Sequence, residues 1–147
     1  MIVVIQRCSR GKVTVSEKVV GEIDNGLVIL LGVQKGDTEK DANFLVNKIS
    51  GLRIFSDEND KMNLSIKDVN GSALIISQFT LCGDTKKGRR PSFIKAATPD
   101  DGNKLYEYFM SEMKKDGVPI ESGEFGAMMD VELVNNGPVT FVLNSKD

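Results

Sequence analysis

The sequence has no histidine and no tryptophan, and only two cysteines and four prolines, in 147 residues. Without histidine, Ser-His-Asp and Cys-His catalysis, His-based metal sites and an imidazole proton shuttle are excluded, because no other side chain ordinarily titrates in the middle of the physiological range. Cys8 and Cys82 are too few for a disulfide framework, and two thiols without histidine do not complete an ordinary zinc shell. No metal and no cofactor is expected, and a reduced, cytoplasmic setting is. Long hydrophobic runs are absent too: Met1 to Ile5 is apolar, but Gln6 and Arg7 end it far short of a signal segment or a membrane span of roughly 20 residues. Nor does one charge dominate. The 19 basic and 21 acidic residues leave a net charge of −2, so a polyanionic partner must be met by a local patch.

What remains, 40% hydrophobic and 27% charged residues without repeat or linker, predicts a single soluble domain over 1–147. Val3 and Ile5, Val13 and Val15, Val19 and Ile23, then the run from Leu27 to Val33, read as strands. Turn signals at Ser9-Arg10-Gly11, Gly21 and Asp24-Asn25-Gly26 divide them into an antiparallel meander. Asp37-Thr38, with Asp41 three residues after Thr38, opens a helix whose buried face is Ala42, Leu45, Ile49 and Leu52. Arg53 to Phe55 and Ser72 to Ser77 are further strands, and residues 82–98 form a long surface loop. Thr98 and Pro99 open a second helix with Leu105, Tyr108, Phe109 and Met113 as its apolar stripe. Strands over Val118 to Phe125, Met128 to Val134 and Val139 to Leu143 close the chain. The predicted class is α+β: eight or nine strands in a mainly antiparallel sheet curling toward an open barrel, with two principal helices.

Three segments carry candidate chemistry. Ser77-Gln78-Phe79-Thr80 ends a buried strand in polar groups beside a loop, where side chains are aimed by a rigid element and backbone N–H groups can face a ligand. The same pattern fits a strand end whose hydroxyls satisfy local backbone, and neither hydroxyl has an activating base in view. Asn135-Asn136-Gly137-Pro138-Val139-Thr140 between two strands fits a hairpin turn, or a rigid loop that presents carbonyl oxygens if its Gly-Pro bond is cis. Lys86, Lys87, Arg89 and Arg90 put four cations in five residues, suited to phosphates or simply to solvent. No P-loop and no Gly-x-Gly-x-x-Gly motif is present.

Together these segments resemble the D-aminoacyl-tRNA deacylases. The resemblance runs from Val4-Ile5-Gln6-Arg7 through Leu52-Arg53-Ile54-Phe55, Ser77-Gln78-Phe79-Thr80-Leu81, Lys87-Gly88-Arg89-Arg90-Pro91-Ser92-Phe93 and Gly123-Glu124-Phe125-Gly126 to Asn136-Gly137-Pro138-Val139-Thr140. It implies an enzyme that hydrolyses the ester of D-aminoacyl-tRNA, with RNA rather than DNA as partner. It implies a homodimer in which the cis Gly137-Pro138 loop, held by Arg7, enters the partner's pocket beside Ser77, Gln78, Phe79 and Thr80. The terminal adenosine would lodge near Phe125 and Met129, and the acceptor stem along Lys86, Lys87, Arg89 and Arg90. Such chemistry needs no histidine if a ribose hydroxyl assists and backbone amides hold the oxyanion. A non-catalytic module for the tRNA end, and a hydrolase of small esters using Ser77 or Thr80 as nucleophile, are the alternatives.

Overall fold

Val3, Ile5 and Val13 are buried while their neighbours are more exposed, the period of a strand with one face inward. In the computed structural model, which describes residues 1–147, this strand runs unbroken as β1 (Ile2–Val15). Ser9-Arg10-Gly11, expected as a turn, lies inside it, where β1 passes from one partner to the next: β2 (Lys18–Ile23) pairs with Gly11 to Val15, and β3 (Gly26–Gly32) with Ile2 to Cys8. The chain reverses instead at Ser16 and Glu17, whose φ values of 48° and 67° are those of a two-residue hairpin. A Ser-Glu pair carries none of the usual glycine or asparagine signal for that geometry.

Helix α1 (Glu39–Gly51) starts where predicted, with the Thr38 amide donating to Asp41 Oδ2 at 2.8 Å, and buries Ala42, Leu45, Val46 and Ile49. A small antiparallel pair, β4 (Phe55–Ser56) and β5 (Met62–Leu64), flanks a short loop that carries Asp57, Glu58 and Asp60. Next come β6 (Ser72–Ser77), α2 (Pro99–Lys115), β7 (Ile120–Ser122) and β8 (Asp130–Asn144). Thr98 caps α2, accepting the Asp101 amide at 3.3 Å. The buried seam of α2 is Gly102, Tyr106, Phe109 and Met113, while Leu105 and Tyr108, expected inside, flank it half-buried. The strand expected from Val118 to Phe125 contracts to β7, and the last two expected strands are one.

The class is α+β with eight strands, two principal helices and predominantly antiparallel pairing. Two pairs are parallel, β3 with β6 and β6 with β7, because the connections between them contain α1 and α2 and so cross over rather than turn back. The main path β2-β1-β3-β6-β7 curls until β2 meets β7: the Glu22 amide lies 3.4 Å from Glu121 Oε1, and a Cβ on Gly21 would stand 2.4 Å from the Ser122 carbonyl oxygen. Only glycine lets the barrel draw that nearly closed. One face of the sheet packs on both helices around Ile5, Leu45, Ile75 and Phe109, and the opposite face buries Cys8, Val13, Ile23, Val28, Leu74 and Ile76. No helix is long and apolar enough to cross a membrane. β8 lies off the main path and pairs with β1 alone, along nearly its whole length.

Candidate active site

The parallel ladder of β3 and β6 runs to Leu31 and Ser77, and the Gln78 amide adds one more bond to the Leu31 carbonyl at 2.8 Å. There the chain winds into a 3-10 turn, Phe79–Cys82, at the C-terminal end of a parallel strand. Ends of this kind leave backbone groups facing solvent, and ligands of parallel sheets gather there. The Phe79 and Thr80 amides open the turn, with no earlier carbonyl of the turn to bind. Both side chains are exposed, Ser77 and Gln78 are half-buried, and Gln78 Nε2 donates to Thr80 Oγ1 at 3.1 Å. The Thr80 hydroxyl is thus oriented by an amide, which takes no proton from it.

On β8 the second group forms. Thr140 stands opposite Gln6 and Asn135 opposite Cys8, so residues 136–139 are extruded opposite the single residue Arg7. The expected turn between strands is therefore a bulge inside one strand. Arg7, only 9% exposed, holds it from below: Nε donates to the Asn136 carbonyl at 3.0 Å, and a terminal nitrogen to the Ile54 carbonyl at 2.9 Å. The Gly137-Pro138 peptide is cis, and Gly137 has φ 138°. Asn136, Gly137 and Pro138 are all exposed, leaving a ridge of backbone with little side chain.

Lys86, Lys87, Arg89 and Arg90 lie exposed at the tip of the long loop, and none of them enters an ion pair. The tip is closed at its base by Asp84 and Ser92, which exchange backbone hydrogen bonds of 2.8 and 2.9 Å. The Lys86 amide beside the Asp84 carboxyl holds it below the ordinary carboxylate range. Phe93, next in the chain, sets its ring edge-on to Phe79 with centroids 5.0 Å apart, so the base of the basic loop rests on the 3-10 turn. Phe125 packs on Tyr106 at 5.7 Å between ring centroids, and Met129 packs against the cluster that contains Ile76. Through the Gly123 amide, bound to the Ile75 carbonyl at 3.1 Å, that segment lies alongside β6 just before Ser77.

The structure thus joins Ser77, Gln78, Phe79 and Thr80 to the basic loop, and sets Phe125 and Met129 along the same strand. Arg7, Gly137 and Pro138 form a separate group, with no hydrogen bond within the chain to the 3-10 turn. Sequence patterning gave Phe93 no partner, and gave Asn135, inside the second candidate segment, no role of its own. A lone aromatic in an aperiodic loop announces no partner, whereas Asn135 did carry a signal, since asparagine commonly bonds backbone a few residues on.

The titratable groups nearby offer no base. Burial raises the Cys82 thiol, which faces the Val33 carbonyl, and burial pushes the Tyr106 hydroxyl up to about 12 while it donates to the Ile75 carbonyl at 2.9 Å. No group of three or more Cys, Asp or Glu side chains is arranged to hold a metal ion. A cavity of about 530 Å³ lined by Glu22, Asp24, Asn70 and Glu121 includes none of the candidate residues. What the arrangement offers is backbone: donors at Phe79 and Thr80, and acceptors on the bulge.

Residues 4–144 match the model of the D-Tyr-tRNA(Tyr) deacylase family. A D-aminoacyl-tRNA deacylase of Bacillus cereus (strain G9842) is 54% identical over 146 residues, covering 99% of this chain and 100% of its own. One of Thermotoga petrophila is 54% identical over 145 residues, covering 99% and 97%. Among solved structures, a c-Myc DNA unwinding element binding protein superposes with a TM-score of 0.93 at 37% identity over 98% of both chains. A probable eukaryotic D-amino acid tRNA deacylase shares the fold, with a TM-score of 0.82 at 18% identity over 97% of this chain and 98% of its own. A family match over residues 4–144 and full-length identity above half leave one conclusion: the chain belongs to the D-Tyr-tRNA(Tyr) deacylase family.

Proposed function

We propose that the protein hydrolyses the ester bond of D-aminoacyl-tRNA, releasing the D-amino acid and free tRNA, in the cytoplasm where charged tRNA is used. The ester carbonyl oxygen is held by the Phe79 and Thr80 amides, which stabilise the negative charge that develops as water adds to the carbonyl carbon. The ribose 2′-hydroxyl assists the proton transfer from that water to the departing 3′-oxygen, and the carbon–oxygen ester bond breaks. Gln78 orients Thr80, and both position the ester rather than attack it. A homodimer brings the bulge of one protomer, with Gly137 and Pro138, to the 3-10 turn of its partner. There the two carbonyl oxygens bind the substrate's α-amino group and backbone fills the space an L side chain needs. A thousandfold preference requires about 4 kcal/mol in the transition state, within reach of a clash against fixed backbone. Glycine, lacking a side chain, is not rejected by such a wall. Phe125 and Met129 flank the terminal adenosine.

The observation that carries this reading is the exposed backbone ridge at residues 136–138, in a four-residue bulge pinned from below by buried Arg7. A plain turn would need neither an arginine removed from water nor four residues opposite one. Incubation with D-Tyr-tRNA and L-Tyr-tRNA is expected to release D-tyrosine at least a thousandfold faster. Equal rates, or binding without release as in a non-catalytic module, would refute the reading. A trapped acyl-enzyme would favour a Ser77 or Thr80 nucleophile instead.

The four unpaired cations make a second, separable prediction. Each phosphate contact contributes about 0.7 to 0.9 to the slope of log affinity against log salt, so replacing Lys86, Lys87, Arg89 and Arg90 by Gln is expected to flatten the slope by about three. Filter binding of tRNA from 50 to 200 mM salt, a range typical of such titrations, checks it. An unchanged slope would move the acceptor stem elsewhere.

A further inference from the structure

The bulge on β8 has a second anchor, independent of Arg7. Asn135, half-buried at its start, reaches across the base: its Oδ1 accepts the Val139 amide at 2.9 Å, and its Nδ2 donates to Thr140 Oγ1 at 2.9 Å. The assignment of the two amide atoms is fixed by chemistry, because the Val139 N–H can only donate and must therefore face oxygen. Gln6 Nε2, on the adjoining strand, lies 3.4 Å from the same Thr140 hydroxyl. One side chain thus closes residues 136–139 into a ring at the point where the ladder between β1 and β8 resumes. Arg7 fixes where the ridge sits by gripping Asn136 at its start, whereas Asn135 fixes how its far side returns. A loop gripped at one end only would keep its position and lose its shape.

We propose that Asn135 is a positioning residue that sets the stereoselectivity of the reaction, by clamping the bulge in the shape that aims the Gly137 and Pro138 carbonyls. The inference rests on the deacylase reading above. It requires no contact between Asn135 and the substrate. Asp at this position keeps the acceptor for the Val139 amide, and the Thr140 hydroxyl can rotate to donate to it while still accepting from Gln6. Ala removes both anchors. Val at position 140 keeps the β-branched shape and removes one.

Single-turnover deacylation of D-Tyr-tRNA and L-Tyr-tRNA over a range of enzyme concentrations tests this on the full chain. N135A is expected to lose tenfold or more of its saturated rate on the D substrate and of its D/L ratio, with half-saturation changed less than twofold because the tRNA body is bound elsewhere. N135D is expected within threefold of wild type in both rate and ratio, and T140V at least threefold down in ratio. A D/L ratio for N135A within twofold of wild type would overturn the proposal, as would a loss that N135D does not restore. If N135A does not fold, T140V decides: a ratio within twofold of wild type overturns it. Equal wild-type rates on the two substrates would instead remove the deacylase reading, an outcome visible before any variant is made.

Discussion

Gly137→Ala is expected to lower the release of D-amino acid from D-aminoacyl-tRNA at least a hundredfold, while the unfolding midpoint moves by only a few degrees. Gly137 sits at φ 138°, where an L side chain is strained, and a Cβ there would stand 2.6 Å from Val139 Cγ2 and 2.9 Å from the Val139 nitrogen. Neither neighbour yields cheaply. Val139 is buried, and its nitrogen is held by Asn135 Oδ1 at 2.9 Å. The bulge must therefore open, and its carbonyls shift by a large part of an ångström. Displacement of positioned groups by about 1 Å costs about a hundredfold in rate, whereas strain confined to an exposed loop costs the fold about 1–3 kcal/mol. Steady-state deacylation beside thermal unfolding separates the two. Activity within threefold of wild type would mean that the bulge does not face the reacting ester.

How far the sequence foretold this arrangement depends on the range of the interactions involved. The two helices, the central strands β3 and β6, and the caps at Thr38 and Thr98 were legible, because each is written in a local period or a local hydrogen bond. The seam of α2 was placed slightly off: Leu105 and Tyr108 look as apolar as Tyr106, and only packing against the sheet selects among them. The long antiparallel pair β1 and β8 was not legible, since its register joins Ile2 to Asn144 and Thr14 to Asp130 across nearly the whole chain. Without that register, the Asn-Gly-Pro segment looks like a turn between strands. With it, four residues stand opposite Arg7 and the ridge emerges. The motifs named the residues of the candidate site, but the placement of Phe93 on Phe79 and the clamp by Asn135 came only from three dimensions.

In the proposed homodimer, the wild type is expected at twice the 16.1 kDa chain mass, and Val142→Asp is expected at the chain mass itself, with D-aminoacyl-tRNA hydrolysis reduced at least a hundredfold. β8 is a 15-residue strand with one edge unpaired, and apolar side chains on both of its faces remain open to water: Val131, Val134, Phe141 and Val142, the last 68% exposed. A long edge with that composition invites a partner strand or face unless something covers it. Val142 lies three residues beyond Val139, where the bulge ends, and stands opposite Val4 on β1. A second copy that receives the bulge must therefore approach this surface. In an isolated chain the substitution is a surface change worth within about 0.5 kcal/mol, so the fold survives it. In a twofold interface it buries two unpaired carboxylates, each costing several kcal/mol. The asymmetry makes the experiment decisive. Light scattering reads the mass and D-Tyr-tRNA deacylation reads the activity. A folded monomer that retains activity would show that each chain works with its own bulge, and a wild type that is active as a monomer would show the same without a substitution. Joint loss of mass and activity, with thermal unfolding still cooperative, ties the ridge on one protomer to the amides of the other.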